Sequence, residues 1–348
     1  MCKLNATPIF FGHLPKAYFD HFFLSNISEL IFDKSLYTLL RFCGLKENEI
    51  GEQASDFDRF RAYCKATECL TGHPILQKNE LLLRTCFGID LPCNLPNCNT
   101  IWNDVSDRLL QSNMSPLERL QKAAPDHPFH LLMDITALEK QEKIFPDISP
   151  VLFLNPLVDT QTVTWEAWKN QIDFAFERLH QLTGNAVCMN LQLGSVQSVP
   201  SLYAVEQALK SDKKTTERLE LLMVQLLRQA CINCKKTDAT LYLELSSVRL
   251  ESTVNILKQL FEQVGLPNIV CYAKDISHIE KMLQLDAELP YNRLQCGFLT
   301  GYYPSAKELQ NAYTALISRY PSGKLHVLLG DDLRYANYEL QCFKLMIK

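Results

Sequence analysis

Short apolar segments alternate with helical patterns along most of this chain, and the alternation limits the possible folds more than any other feature. Eight segments have the apolar and β-branched composition of buried strands. These predicted strands are residues 7–11, 129–134, 150–154, 186–193, 239–245, 268–273, 294–299 and 324–329. Repeated strand–helix alternation indicates parallel strands. Eight of them predict an α/β fold of the closed (β/α)8 barrel type.

Helical segments separate most of these strands. Between the third and fourth strands, large apolar residues recur on one face of a helix: Trp165, Trp168, Ile172, Phe176 and Leu179. Residues 216–234 and 252–264 have similar patterns, and Gly265 and Pro267 are typical of a helix end at the second of them.

One connection is far longer than the others. Residues 12–128 separate the first two predicted strands and carry helical patterns at 27–43, 56–70 and 79–86. Such a long segment exceeds an ordinary crossover between neighbouring strands. We therefore predict one barrel domain over residues 1–348, with a helical insertion at 14–127.

Composition excludes several classes of protein. The net charge of −4 provides no basic field for nucleic acid. No apolar run reaches the roughly 18 residues of a membrane span, and the N-terminus lacks the apolar core of a signal peptide. We expect a cytoplasmic protein with neither nucleic acid nor membrane as partner. The 13 cysteines are interpreted as reduced, mostly buried thiols, including Cys188 and Cys271 in predicted strands.

Charged residues follow the last predicted strand directly. The chain has no Gly-x-Ser-x-Gly elbow, P-loop, His-Glu-x-x-His motif or Rossmann fingerprint, which removes several common enzyme classes. Instead, Asp331, Asp332 and Arg334 lie at the carboxyl end of the eighth strand, where α/β folds build their sites. Asp332 and Arg334 are therefore candidate site residues. The alternative is a structural ion pair or a cap of the loop.

Several segments resemble the uronate (glucuronate) isomerase family of the amidohydrolase superfamily, in the same order and over nearly the whole chain. These segments are residues 7–14, 57–61, 72–74, 80–90, 100–102, 152–157, 297–303 and 331–334. The resemblance implies a TIM barrel of the metal-dependent hydrolase type and an aldose–ketose isomerisation in glucuronate metabolism, acting on glucuronate or galacturonate. Family members continue through further C-terminal helices, so we expect a shortened C-terminus.

The metal site that the resemblance implies is damaged in this chain. The family binds a divalent metal through two histidines of the first strand and an aspartate after the last. The second histidine corresponds to His13 and the aspartate to Asp332, but the first histidine corresponds to Phe11. Two protein ligands are fewer than the three usual for catalytic zinc. Either no cofactor is bound, with His13 paired locally, or a residual zinc site persists at His13 and Asp332.

The implied substrate site is altered as well. The substrate-binding arginine of the third strand corresponds to Phe153, and the paired tryptophans correspond to Tyr302 and Tyr303. A phenyl ring cannot replace the bidentate grip of an arginine on a carboxylate. The predicted pocket is therefore more apolar than that of the family, and we expect its small sugar-like ligand to be less acidic than a uronate. Its predicted lining is His13, Phe153, Tyr302, Asp332 and Arg334.

Three functions follow from these residues. The first is a pseudoenzyme, a uronate-isomerase-like barrel with weak or no isomerase activity and a binding or scaffold role. The second is an active isomerase, an intramolecular oxidoreductase, in which Asp332 or His13 acts as the base and Arg334 orients the substrate. The third is binding of a protein partner through the helical insertion. The oligomeric state stays undetermined, and a homo-oligomer is one option.

Overall fold

The computed structural model of the chain describes residues 9–11, 26–32, 34–110, 129–140, 148–159, 162, 164–211, 215–245, 250–273, 281, 294–299, 311 and 325–328. Its strands are β1 (Ile9–Phe11), β2 (Phe129–Met133), β3 (Ile148–Phe153), β4 (Ala186–Leu191), β5 (Thr240–Leu245), β6 (Ile269–Ala273), β7 (Leu294–Leu299) and β8 (Leu325–Leu328). They form one sheet in sequence order, and each neighbouring pair is parallel. Cα atoms of β1 and β8 also approach within 8 Å. The predicted (β/α)8 barrel is therefore confirmed.

All eight predicted strands are present, with small shifts at their ends. The third begins at Ile148 rather than at Pro150. Proline has no N–H for the ladder and often begins a strand. Here Pro150 lies inside β3, opposite Leu131 of β2.

The described helices between residues 26 and 110 belong to a compact unit separate from that of the strands. They are α1 (Ile27–Ile31), α2 (Lys34–Phe42), α3 (Glu47–Ile50), α4 (Asp56–Ala66), α5 (Pro74–Phe87) and α6 (Cys98–Leu110). The pattern at 27–43 is thus divided into two helices. The pattern at 79–86 is part of a longer helix that Pro74 begins and that ends at Gly88, where φ is +59°.

This helical unit has its own apolar core. Leu36, Leu40, Phe60 and Tyr63 are fully buried in it. The Tyr63 hydroxyl accepts a hydrogen bond of 3.1 Å from Asn79 Nδ2, so the one polar atom of this ring has a partner. The unit therefore buries enough apolar surface to hold its helices together.

Helices also follow the strands of the barrel unit. They are α7 (Ile135–Lys140), α8 (Trp165–Gln181), α9 (Leu202–Lys210), α10 (Thr216–Thr237) and α11 (Leu250–Val264). Four of the five residues of the predicted apolar face of α8 are buried, namely Trp168, Ile172, Phe176 and Leu179, while Trp165 is half-buried. After α11, Gly265 has a φ of +70°, as expected for a glycine that ends a helix. Among the described helices, none is long and apolar enough to cross a membrane.

Candidate functional site

Parallel strands of a barrel all end at one rim, and sites are built at that rim. Among the residues predicted for the site, Phe153 is described and is the last residue of β3. Phe11 is the last residue of β1 and pairs with Leu131. The remaining predicted site residues lie outside the described part of the chain: His13, Tyr302, Tyr303, Asp332 and Arg334.

An apolar layer fills the barrel beneath this rim. Its buried members are Val151, Ala186, Cys188, Tyr242, Val270 and Tyr272, with Leu132 and Phe153 packed against them. The Sγ atom of Cys188 on β4 lies 3.3 Å from the hydroxyl of Tyr272 on β6. These two strands are separated by β5, so a direct contact between them is made across the concave, inner side of the sheet.

A pair of polar side chains lies two residues further along β4 and β5, on the same inner face of the sheet. Asn190 and Glu244 follow Cys188 and Tyr242 by two positions, so their side chains point the same way. The ladder pairs Asn190 with Glu244, and Glu244 with Tyr272. Asn190 Nδ2 donates a hydrogen bond of 3.0 Å to Glu244 Oε2. Both residues are partly exposed, and they place an amide and a carboxylate at the carboxyl ends of β4 and β5.

Asn155, in the short 3-10 turn after β3, fixes Asn190. Its Oδ1 accepts a hydrogen bond of 2.7 Å from the Asn190 N–H, and its Nδ2 donates one of 2.8 Å to the Asn190 carbonyl. The Asn155 side chain thus satisfies both backbone groups of Asn190 where β3 has already ended. This 3-10 turn extends over Asn155–Val158. Trp168 holds it, because Nε1 of Trp168 donates a hydrogen bond of 2.8 Å to the Leu157 carbonyl.

One acceptor in this arrangement has no partner among the described residues. Asn190 Oδ1 is buried and receives no hydrogen bond from any described residue. The amide orientation follows from the chemistry, because the Glu244 carboxylate needs the NH2 side of Asn190 as donor. A buried acceptor without a donor costs about 1–3 kcal/mol, so the site favours a group that brings a donor to it.

Glu220 holds the loop that follows β4. This residue is only 4% exposed in the first turns of α10, and its Oε2 accepts hydrogen bonds from Ser195 N (2.7 Å), Ser195 Oγ (2.8 Å) and Val196 N (3.0 Å). Burial alone would raise the pKa of Glu220, but these hydrogen bonds outweigh it, and the pKa lies below its usual value. A Cβ at Gly194 would lie 2.8 Å from Glu220 Oε1, so glycine allows this close approach.

Two other titratable groups of the barrel unit, His130 and Cys231, are core residues. His130 on β2 is buried, and burial lowers its pKa to about 4, so the imidazole is neutral at ordinary pH. Cys231 is buried in α10, and burial raises its pKa to about 12. Within the described ranges, no group of three or more His, Cys, Asp or Glu side chains could hold a metal ion.

Sequence reasoning missed Asn190 and Glu244. The available signal was a polar residue close to the carboxyl end of an otherwise apolar strand, which is the signal that drew attention to Asp332. It was overlooked at Asn190 because the predicted strand ran to residue 193, which placed the asparagine well inside the strand. The structure ends β4 at Leu191 and leaves Asn190 near the rim.

Comparison with known proteins agrees with this architecture. A sequence model of the glucuronate isomerase family matches residues 6–184. The uronate isomerase of Streptococcus uberis is 26% identical over 228 residues, which cover 62% of this chain and 47% of the relative. That of Brachyspira hyodysenteriae is 24% identical over 330 residues, which cover 83% of this chain and 69% of the relative. The chain thus spans about half the length of the S. uberis protein.

Solved structures show the same fold. The crystal structure of uronate isomerase from Thermotoga maritima has a TM-score of 0.73 and 17% identity to this chain, covering 99% of it and 86% of the T. maritima protein. Glucuronate isomerase from Caulobacter crescentus has a TM-score of 0.73 and 11% identity, covering 99% of this chain and 84% of that protein. At such low identity these two similarities show the fold alone.

Proposed function

Because this chain belongs to the glucuronate isomerase family, we propose that it is a member with little or no uronate isomerase activity and with a ligand-binding role. The ligand would bind at the carboxyl ends of the strands. Its recognition would depend on the residues that this chain places there, rather than on those of a working isomerase.

The observation that carries this proposal is the absence of arginine and lysine from the described strands of the barrel. Across β1 to β8, as the structure bounds them, no residue is arginine or lysine. Among these strand residues, Glu244 is the only aspartate, glutamate, arginine or lysine. A uronate carboxylate is best held by a bidentate arginine. The resemblance places such an arginine at the position of Phe153, so a uronate carboxylate would meet a phenyl ring there instead of a guanidinium.

The divalent metal that the family implies does not fit the donor set on the described strands. Phe11 ends β1 where the resemblance places a histidine, and a phenyl ring has no lone pair to donate. His13 and Asp332 together would supply two protein ligands, whereas catalytic zinc sites usually have three. We therefore derive no step of the proposed function through a metal.

Metal analysis of the purified chain tests this proposal. After dialysis against zinc and gel filtration, we expect far less than one zinc ion per chain by plasma mass spectrometry, because two ligands hold zinc weakly. Phe11→His, which restores a third donor, should raise the zinc content. One tightly held zinc in the wild type that is lost in Asp332→Ala would contradict the proposal and favour an active isomerase built on Asp332, Arg334 and His13.

A further inference from the structure

We propose that Cys43 and Cys69 are a modification site, where a hydroperoxide such as hydrogen peroxide converts the two thiols into a reversible disulfide. Cys43 follows α2 directly, and Cys69 lies in the turn after α4. Both belong to the helical unit, which is compact in itself. The inference therefore does not depend on the ligand-binding role proposed for the carboxyl ends of the strands.

The packing of the helical unit brings the two segments together. Helix α3 contacts α4, and Lys65 Nζ in the last turn of α4 lies 3.1 Å from Glu49 Oε1 of α3. The connection from α2 to α3 is short, so it lies beside the end of α4. There the side chain of Cys43 is in hydrogen-bonding contact with that of Cys69. Because both cysteines are in turns rather than within helices, a small movement can bring the sulfurs to bonding distance.

The two thiols differ in their access to solvent. Cys69 is exposed, whereas Cys43 is half-buried against the apolar core of the helical unit. Burial raises the pKa of the Cys43 thiol, and the neighbouring Cys69 raises it further, so Cys43 itself is slow to react with an oxidant. An accessible cysteine next to a second thiol is typical of reversible oxidation. Cys69 is therefore the thiol that reacts first, and Cys43 is its partner.

Three other cysteines of the same unit provide a contrast. The side chain of Cys64 is in contact with those of Cys93 and Cys98. These three residues are only 2%, 5% and 3% exposed. Buried thiols are inert toward oxidants, so closeness of thiols alone is not sufficient. We expect these three cysteines to stay reduced under conditions that oxidise Cys69.

The proposed reaction has two steps. The Cys69 sulfur attacks hydrogen peroxide, the O–O bond breaks, and the products are the sulfenic acid of Cys69 and water. The Cys43 sulfur then attacks the sulfenic sulfur, the S–O bond breaks, and a second water leaves as the disulfide forms. The two thiols lose two protons and two electrons, which the peroxide accepts. Exchange with an added thiol such as dithiothreitol restores both cysteines.

Peptide mapping of the full chain tests the proposal. The folded protein is treated with a small excess of hydrogen peroxide, then unfolded, and its remaining thiols are blocked with iodoacetamide. Trypsin releases residues 42–46 and 66–78, each with a single cysteine, and separates both from the peptide 62–65 that contains Cys64. We expect the first two peptides to be joined in one species that dithiothreitol splits. We expect the peptide 62–65 to be recovered fully alkylated.

Two variants assign the roles of the thiols. Cys69→Ser should slow the loss of the Cys43 thiol at least about tenfold, because the accessible sulfur is gone. Cys43→Ser should leave Cys69 as a sulfenic acid that dimedone traps. Failure to recover the joined peptides from the wild type would overturn the proposal. So would equally fast loss of the Cys43 thiol in Cys69→Ser, or oxidation of Cys64 ahead of Cys69.

Discussion

Replacement of Glu220 by alanine is expected to lower the free energy of unfolding by about 2 kcal/mol, because it removes the acceptor of three donors in the loop after β4, one of them the N–H of the buried residue Val196. The carboxylate accepts from Ser195 N, Ser195 Oγ and Val196 N, all within 3.0 Å. A buried donor left unpaired, here the Val196 N–H, costs about 1–3 kcal/mol, whereas the donors of exposed Ser195 can turn to water and cost less. Urea unfolding followed by circular dichroism measures the change.

Glu217→Ala provides the matched control, since Glu217 is exposed on the same helix. That variant should change the unfolding free energy by less than about 0.5 kcal/mol.

The stabilisation by Glu220 depends on pH, and the sign of this dependence follows from its pKa. The pKa of Glu220 is lowered in the folded chain, so its stabilisation is present above the ordinary glutamate pKa and is lost as the pH falls through the lowered value. The difference in unfolding free energy between wild type and Glu220→Ala should therefore become smaller in acid. A difference that becomes larger in acid would contradict the proposed stabilisation of the loop by the ionised Glu220.

Trp168→Ala is expected to cost about 4 kcal/mol of unfolding free energy, as is typical for removal of a fully buried tryptophan. Trp168 is 0% exposed, and its Nε1 donates to the Leu157 carbonyl at 2.8 Å. The substitution opens a cavity under the turn that carries Asn155. Because the Asn155 side chain holds the backbone of Asn190, this loss of support should also loosen Asn190 at the rim of the barrel.

Trp168→Phe separates packing from hydrogen bonding. It keeps an aromatic ring but removes the N–H donor, so we expect an intermediate loss of about 2 kcal/mol. Unfolding in urea, followed by circular dichroism rather than by tryptophan fluorescence, would compare the three proteins. Equal stability of Trp168→Ala and wild type would show that this turn is not supported from α8.

The strands of the barrel could be predicted because each is a short apolar segment bounded by helical patterns. That signal is local and depends on burial on both faces of a parallel sheet. The break between α1 and α2 was missed because residues 27–43 keep a helical pattern across it. The start of α5 at Pro74 depends on capping by His73 Nδ1, 3.2 Å from Ile75 N, and an N-terminal histidine cap is not a common signal.

The candidate site was harder to predict than the fold. Phe153 was placed at the rim by resemblance to the family. Asn190 and Glu244, in contrast, lie 54 residues apart in sequence, and only the register of β4 against β5 brings them together. The side chain of Asn155 can bind the backbone of Asn190 only because β3 ends before β4 does. Such relations between strands are set by pairing and packing across the barrel, which the local pattern of one strand does not contain.

Turnover of d-glucuronate and d-galacturonate by the full chain, with zinc supplied, tests the proposed loss of isomerase activity most directly. We predict rates at least about 10³-fold below those of the S. uberis uronate isomerase, because loss of even one preorganised charge contact to the reacting groups costs about 10²–10³ in rate. We also predict that Asp332→Ala leaves the residual rate unchanged. Rates within tenfold of the S. uberis enzyme that disappear in Asp332→Ala would contradict the proposal.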